Sequence, residues 1–164
     1  MFGTGNMTGG VSGISTKEGV AEKIAMYKGD VEMLARYLDW LEKKSGQDMF
    51  DTFSPDKATE HTLRVPVYDS TLLAFVKEVQ KTKFINKNYV YTYSRKHMQT
   101  PQDEIRVIRE TQIMELDVLG DILSKYVLKG MTKATMWTDA IRTGVFYETV
   151  KRMKELIEFW TVPM

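Results

Sequence analysis

From Ser15 onward, apolar residues recur three and four positions apart, and this spacing constrains the fold more than any other feature of the chain. Only short stretches alternate with the period of two that a half-buried strand requires. The plainest case is Glu115 to Lys129, where Val118, Leu119, Ile122, Leu123, Tyr126 and Val127 form one stripe and Gly130 follows as a stop. The last segment is similar: Phe146, Val150, Met153, Ile157 and Trp160 make an apolar seam, with Lys151, Arg152, Lys154 and Glu155 on the water side.

Start and stop signals divide the rest. Ser15 with Glu18 reads as a capping box, followed by Val20, Ile24 and Tyr27 and a stop at Gly29. Asp30 is expected to cap a second helix through Lys44, with Val31, Leu34, Ala35, Leu38 and Leu41 inward. Met33, Tyr37 and Trp40 give that helix a second face, read as core. Ser45 to Thr62 holds Asp48, Asp51, Asp56 and Glu60 against Lys57, which reads as an acidic surface loop, and Pro66 keeps Leu63 to Tyr68 out of a central strand. Asp69 or Ser70 then caps a helix bearing Leu72, Leu73, Phe75, Val76 and Val79.

In the segment 86–97, Tyr89, Tyr91 and Tyr93 alternate, yet Tyr89 and Tyr93 also share a helical face, and helix is the reading adopted. Thr100, Pro101 and Asp103 form a strong start signal, continued by Ile105, Ile108 and Gln112. Thr132 is expected to cap a short helix through Thr143, with Gly144 as the turn into the last one. The expected architecture is all-α: a single compact domain of about seven or eight short helices over residues 17–164. A flexible Gly-rich N-terminal arm, residues 1–16, precedes it, uncharged and holding five of the glycines.

Composition narrows the function classes. The 23 basic and 22 acidic residues nearly cancel, so no global field announces a nucleic acid or an anionic membrane. There is no cysteine, hence no disulfide, thiolate nucleophile or Cys-ligated zinc, and stability rests on packing. No run approaches the 18 apolar residues of a span, and no leader is recognisable, so a cytoplasmic protein without membrane association is expected. The string from Gly3 to Gly10 lacks the preceding strand and the closing Lys-Ser/Thr of a phosphate loop.

Chemistry-bearing residues are sparse. The two histidines, His61 and His97, have no ligand spacing, and no hydrolase or transferase motif is present. Glu18 with Glu22, or Glu115 with Asp117 and Asp121, could gather carboxylates on a helix, but solvated faces are the simpler reading. No catalytic residue, metal ligand or cofactor-binding residue is therefore expected, and no cofactor. Between Leu63 and Met98, Arg64, Lys77, Lys81, Lys83, Lys87, Arg95 and Lys96 oppose only Asp69 and Glu78, with tyrosines interleaved. Basic side chains beside flat rings suit single-stranded nucleic acid, so Lys83, Lys87, Tyr89, Tyr93, Arg95 and Lys96 are the candidate interaction residues. Ala140, Gly144 and Val150 match the small, turn and buried positions of a helix-turn-helix, whose surface would carry Lys151, Arg152 and Lys154.

The run Pro66-Val-Tyr68-Asp69-Ser-Thr-Leu72, the Tyr89 region and the stretch from Leu116 to Leu156 together resemble an uncharacterised prokaryotic family, domain of unknown function 6508. The matching pieces are Tyr126-Val127, Gly144-Val145-Phe146 and Val150-Lys-Arg-Met-Lys-Glu-Leu156, within a span from about Val31 to Phe159. The chain reads Leu128-Lys129-Gly130-Met131 where that family carries Arg-x-Glu-Arg, so any act of those charges is lost here. The resemblance implies an all-helical domain and transfers no activity, because none is assigned to that family.

The leading expectation is a non-catalytic helical interaction module of bacterial, phage or mobile-element origin, an inhibitor or adaptor that binds a protein or protein complex. Its 11 methionines, with 8 Tyr, 7 Phe and 3 Trp, suit an adaptable binding surface, which includes self-association. The alternative is a nucleic-acid-binding protein using the basic-aromatic segment 81–97 and the helix pair 132–160.

Overall fold

The computed structural model describes residues 9–46, 70–133 and 135–161. Its helices are α1 (Gly9–Ala35), α2 (Leu38–Lys44), α3 (Ser70–Lys81), α4 (Tyr89–Arg95), α5 (Pro101–Glu110), α6 (Leu116–Lys129), α7 (Thr135–Arg142) and α8 (Val145–Thr161). A 3-10 turn at Ile113–Glu115 leads into α6, and the described residues contain no strand. The fold class is all-α, as the spacing predicts.

α6 has little polar surface and is accordingly enclosed, with Leu116, Leu119, Ile122, Leu123 and Val127 fully buried. α8 buries Val145, Phe146, Val150, Met153, Leu156 and Ile157, and packs against α1, α2, α5, α6 and α7. Aromatic edges join the layers: Phe75 of α3 meets Phe146 at 5.1 Å between centroids, and Tyr126 of α6 meets Phe146 at 6.0 Å. Tyr37 and Trp40 pack on this core, the role expected for that face.

The first helix departs from expectation. α1 runs through Gly29 to Ala35, and the chain turns at Arg36 and Tyr37 before α2. The reason is that Val20, Ile24, Tyr27, Val31 and Leu34 stay in register across Gly29, and all but Ile24 are buried. A glycine inside a helix costs about 1 kcal/mol relative to alanine, whereas burying a large apolar side chain gains about 1.5–3 kcal/mol, so the seam prevails. Asp30 is not a cap: its Oδ2 accepts the backbone N–H of Lys83 at 2.8 Å. α1 already starts at Gly9, so Ser15 lies inside it rather than at its start, and the expected arm over 9–16 is helical, because an established helix propagates more easily than it nucleates. Residues 1–8 of that arm, the acidic loop from residue 47 on, the segment 63–68 and Asp69 lie outside the described residues.

Other corrections are local. Thr132 does not cap α7, which begins at Thr135; its hydroxyl reaches back to the Lys129 carbonyl at 3.4 Å. On α5 the buried set is Glu104, Val107 and Ile108, continued by Thr111, while Gln112 is exposed. The expected capping box is formed: Asp103 N–H donates to the Thr100 hydroxyl, and Asp103 Oδ2 accepts the Thr100 N–H, both at 3.1 Å. Gly144 makes the α7–α8 turn with φ +82°, the left-handed conformation that glycine adopts freely. Gly130 ends α6 in an ordinary helical conformation; glycine is required there because a Cβ would collide with the Trp137 indole.

Candidate functional site

The basic-aromatic segment folds as α4 with a loop before it, and burial sorts its residues. Tyr93 is 9% exposed, and its hydroxyl donates to Glu104 Oε2 at 2.6 Å, so it offers no ring face to a ligand. Tyr89 is half-buried, edge-on to Tyr93 at 6.2 Å, because the two share the inner face of a short helix. Lys96 Nζ lies 3.0 Å from Glu115 Oε2. Lys83, Lys87 and Arg95 are exposed and form no ion pair among the described residues. The exposed ring is Tyr91, at 73%, which the alternating pattern contains but the candidate set leaves out. α4 closes with His97 at φ 58°, followed by Met98 N–H on the Tyr93 carbonyl at 2.9 Å and His97 N–H on Ser94 at 3.2 Å. That is a Schellman closure with histidine in the place usually held by glycine, and it leaves His97 at the surface.

Behind α4 lies a cluster whose members are 11 and 22 residues apart in sequence. Glu104, 1% exposed on α5, accepts the hydroxyls of Tyr93 and Tyr126, each at 2.6 Å, and the ammonium of Lys125 at 3.1 Å. Lys125 also stands 4.7 Å and 5.0 Å from the centroids of those two rings. Burial first, then the charge of Glu104, pushes the Tyr93 phenol far above the usual tyrosine range. Burial, then the hydrogen bond to Glu104, raises Tyr126 in the same way. Asp121 is likewise enclosed, accepting Asn86 Nδ2 at 2.9 Å and the Thr92 hydroxyl at 2.6 Å. With their oxygens occupied, these carboxylates tie α4 and α5 to α6. The signal for Glu104 is its register with Val107, Ile108 and Thr111, an acid on an apolar face.

The carboxylates weighed as possible pairs do not converge. Asp117 reaches Lys23 at 3.2 Å, Glu115 reaches Lys96, and Asp121 points inward, while Glu18 and Glu22 are exposed. Among the described residues no group of three or more His, Asp or Glu is placed to hold a metal ion. No helix among them is long and apolar enough to cross a membrane. His61 lies outside the described residues.

The helix-turn-helix candidates are tied within the chain. Arg152 Nε and Nη2 donate to the Thr111 carbonyl at 3.1 and 2.7 Å, Lys154 pairs with Glu158 at 2.8 Å, and Lys151 sits 5.6 Å from the Tyr147 ring centroid. Ala140 and Val150 are fully buried, so α7 and α8 do pack as a pair.

A different surface stands out between α1 and α8. A cavity of about 760 Å³ is lined by Val31, Ala35 and Ile157, with Lys28, Glu32 and Lys154 among its rim. A second, of about 410 Å³, follows along α1 over Val20, Ala21, Ile24 and Ala25 to Trp160, and Thr161 lines both. Trp160, in the lining of the second, is 45% exposed, and its ring stands edge-on at 5.4 Å to that of Phe159, which is 71% exposed. Comparison with protein-family models, curated proteins and solved structures returns no match.

Proposed function

We propose that this chain is a non-catalytic interaction module that binds a protein partner along the α1–α8 groove. The observation that carries the reading is this apolar trough, more than one helical turn long, with the exposed ring of Trp160 in its lining. A groove between two helices with an apolar floor and a rim of both charge signs suits an amphipathic helix laid along it. Aromatic residues are the usual anchors of such contacts. An inhibitor or adaptor of bacterial, phage or mobile-element origin acting in the cytoplasm is the setting we favour, in keeping with the resemblance to the uncharacterised prokaryotic family.

Affinity capture with the wild-type chain and with Phe159→Glu/Trp160→Glu tests it. The expected result is a partner, or a second copy of the chain by mass-resolved chromatography, that the double variant loses while remaining folded. Retention of the same species by both proteins would overturn the proposal. A second reading, nucleic-acid binding, is favoured by three exposed side chains, Tyr91 and Arg95 four residues apart on α4 and Lys87 in the turn before it. It expects single-strand affinity that falls steeply with salt and weakens on Lys87→Glu/Arg95→Glu. Unchanged affinity in that variant removes it.

A further inference from the structure

Three arginines line a separate concavity, which shares no residue with the groove. A cavity of about 650 Å³ lies between the first turns of α5 and the end of α7, lined by Pro101, Gln102, Ile105, Arg106, Arg109, Arg142 and Thr143. Three arginines are among its lining residues, and the acids that neighbour them, Asp103, Glu110, Asp139 and Glu148, are outside that lining. We propose that this cavity is an anion site that takes the phosphoryl group of a small molecule.

The arginines have acidic neighbours, but most stand at the edge of ion-pair range. Arg106 is 3.9 Å from Asp103 and 3.8 Å from Glu110, and Arg109 is 3.6 Å from Glu148. Asp103 is also occupied elsewhere: its Oδ2 accepts the backbone N–H groups of Gln99 and Thr100, at 2.8 and 3.1 Å. Those bonds, Gln99 first, hold its carboxyl below the usual carboxylate range, so it stays an anion content with its own turn. Arg142 alone has a close partner, Asp139 at 3.1 Å, which occupies one nitrogen of the fork. The three guanidinium groups therefore keep most of their five N–H donors each, at side chains about half or more exposed. Exposed pairs of this kind are easily outcompeted.

The chemistry of the occupant follows from that donor set. A single carboxylate satisfies one arginine fork, whereas a tetrahedral phosphoryl group with nearly two negative charges presents oxygens to three. Ile105 and Pro101 supply an apolar wall for the organic part of the ligand, and the volume falls in the range of small-molecule sites. A nucleic-acid strand fits less well, since a track of phosphates leaving the cavity would run over Asp103, Glu110, Asp139 and Glu148.

The test is calorimetric titration of the full chain with sodium pyrophosphate at constant ionic strength. Saturable one-to-one binding is expected, weakened about tenfold or more in Arg106→Gln/Arg142→Gln with unfolding temperature unchanged. Inorganic phosphate should bind the same site more weakly, and the groove variant Phe159→Glu/Trp160→Glu should bind pyrophosphate like wild type, which separates this proposal from the one above. No saturable binding at about 10 mM pyrophosphate, or equal affinity in the arginine variant, would overturn it. So would a single-stranded oligonucleotide that displaces pyrophosphate and binds the site more tightly, since that assigns the arginines to nucleic acid.

Discussion

Inward from α5, Glu104 is 1% exposed and both its oxygens are bonded to side chains of α4 and α6. Outward from the same helix, Arg106 and Arg109 are 48% and 67% exposed, with acids no nearer than 3.6 Å. One face spends its charge on holding helices together, and the other leaves it available to solvent or a ligand. The difference comes from desolvation. A buried carboxylate without partners is far more costly than an exposed guanidinium without one, so folding completes the first set and is nearly indifferent to the second.

The contrast can be broken most forcefully at Glu104. Glu104→Ala leaves two phenols and an ammonium facing nothing, and the expected loss is about 3–5 kcal/mol in urea unfolding, with Glu104→Gln losing less. A loss under about 1 kcal/mol would mean that the cluster is wetter than its burial indicates.

An intermediate effect is expected at alkaline pH. A tyrosine in the unfolded chain ionises near 10, whereas Tyr93 and Tyr126 hold their protons well beyond that. The unfolded state therefore releases protons first. Stability from these groups is complete below about pH 10 and is lost as pH rises further. Tyr93→Phe/Tyr126→Phe should flatten the decline in unfolding free energy between about pH 9 and 11, at a cost near neutrality of about 1.5–3 kcal/mol for each hydrogen bond, since the acceptor is a buried carboxylate. A slope equal to wild type would assign the alkaline loss to other groups.

The smallest effect belongs to the outward face. Arg106→Gln/Arg142→Gln should change unfolding free energy by less than about 0.5 kcal/mol, and the difference should shrink further with added salt. A larger loss would show that these ion pairs hold α5 and α7 in place and would erase the contrast.

Local signals carry much of this fold. The α5 start is legible in Thr100, Pro101 and Asp103, the enclosure of α6 in its unbroken stripe, and the last turn in Gly144. The glycine at 29 misleads because a local penalty of about 1 kcal/mol is weighed there without the packing that α8 supplies. Candidate sites are harder to read for a related reason. Glu104 meets Tyr93 and Tyr126 across separations of 11 and 22 residues, and Arg142 shares a cavity with Arg106 only through tertiary packing. The tyrosine ladder of α4 points to a stacking surface, but a seven-residue helix lying on α6 turns alternate tyrosines to opposite environments, burying Tyr93 and exposing Tyr91.

The placement of α8 has a consequence for how the chain is made. α1, α2, α5, α6 and α7 pack around it, yet the ribosome delivers it after all of the other described helices. The seam of α1 and the apolar sides of α2, α5, α6 and α7 have no complete partner until α8 emerges, and contacts of such long sequence separation form late. Nascent chains stalled before Val145 should therefore be protease-sensitive throughout, and protection should arrive in a single step once α8 clears the exit tunnel.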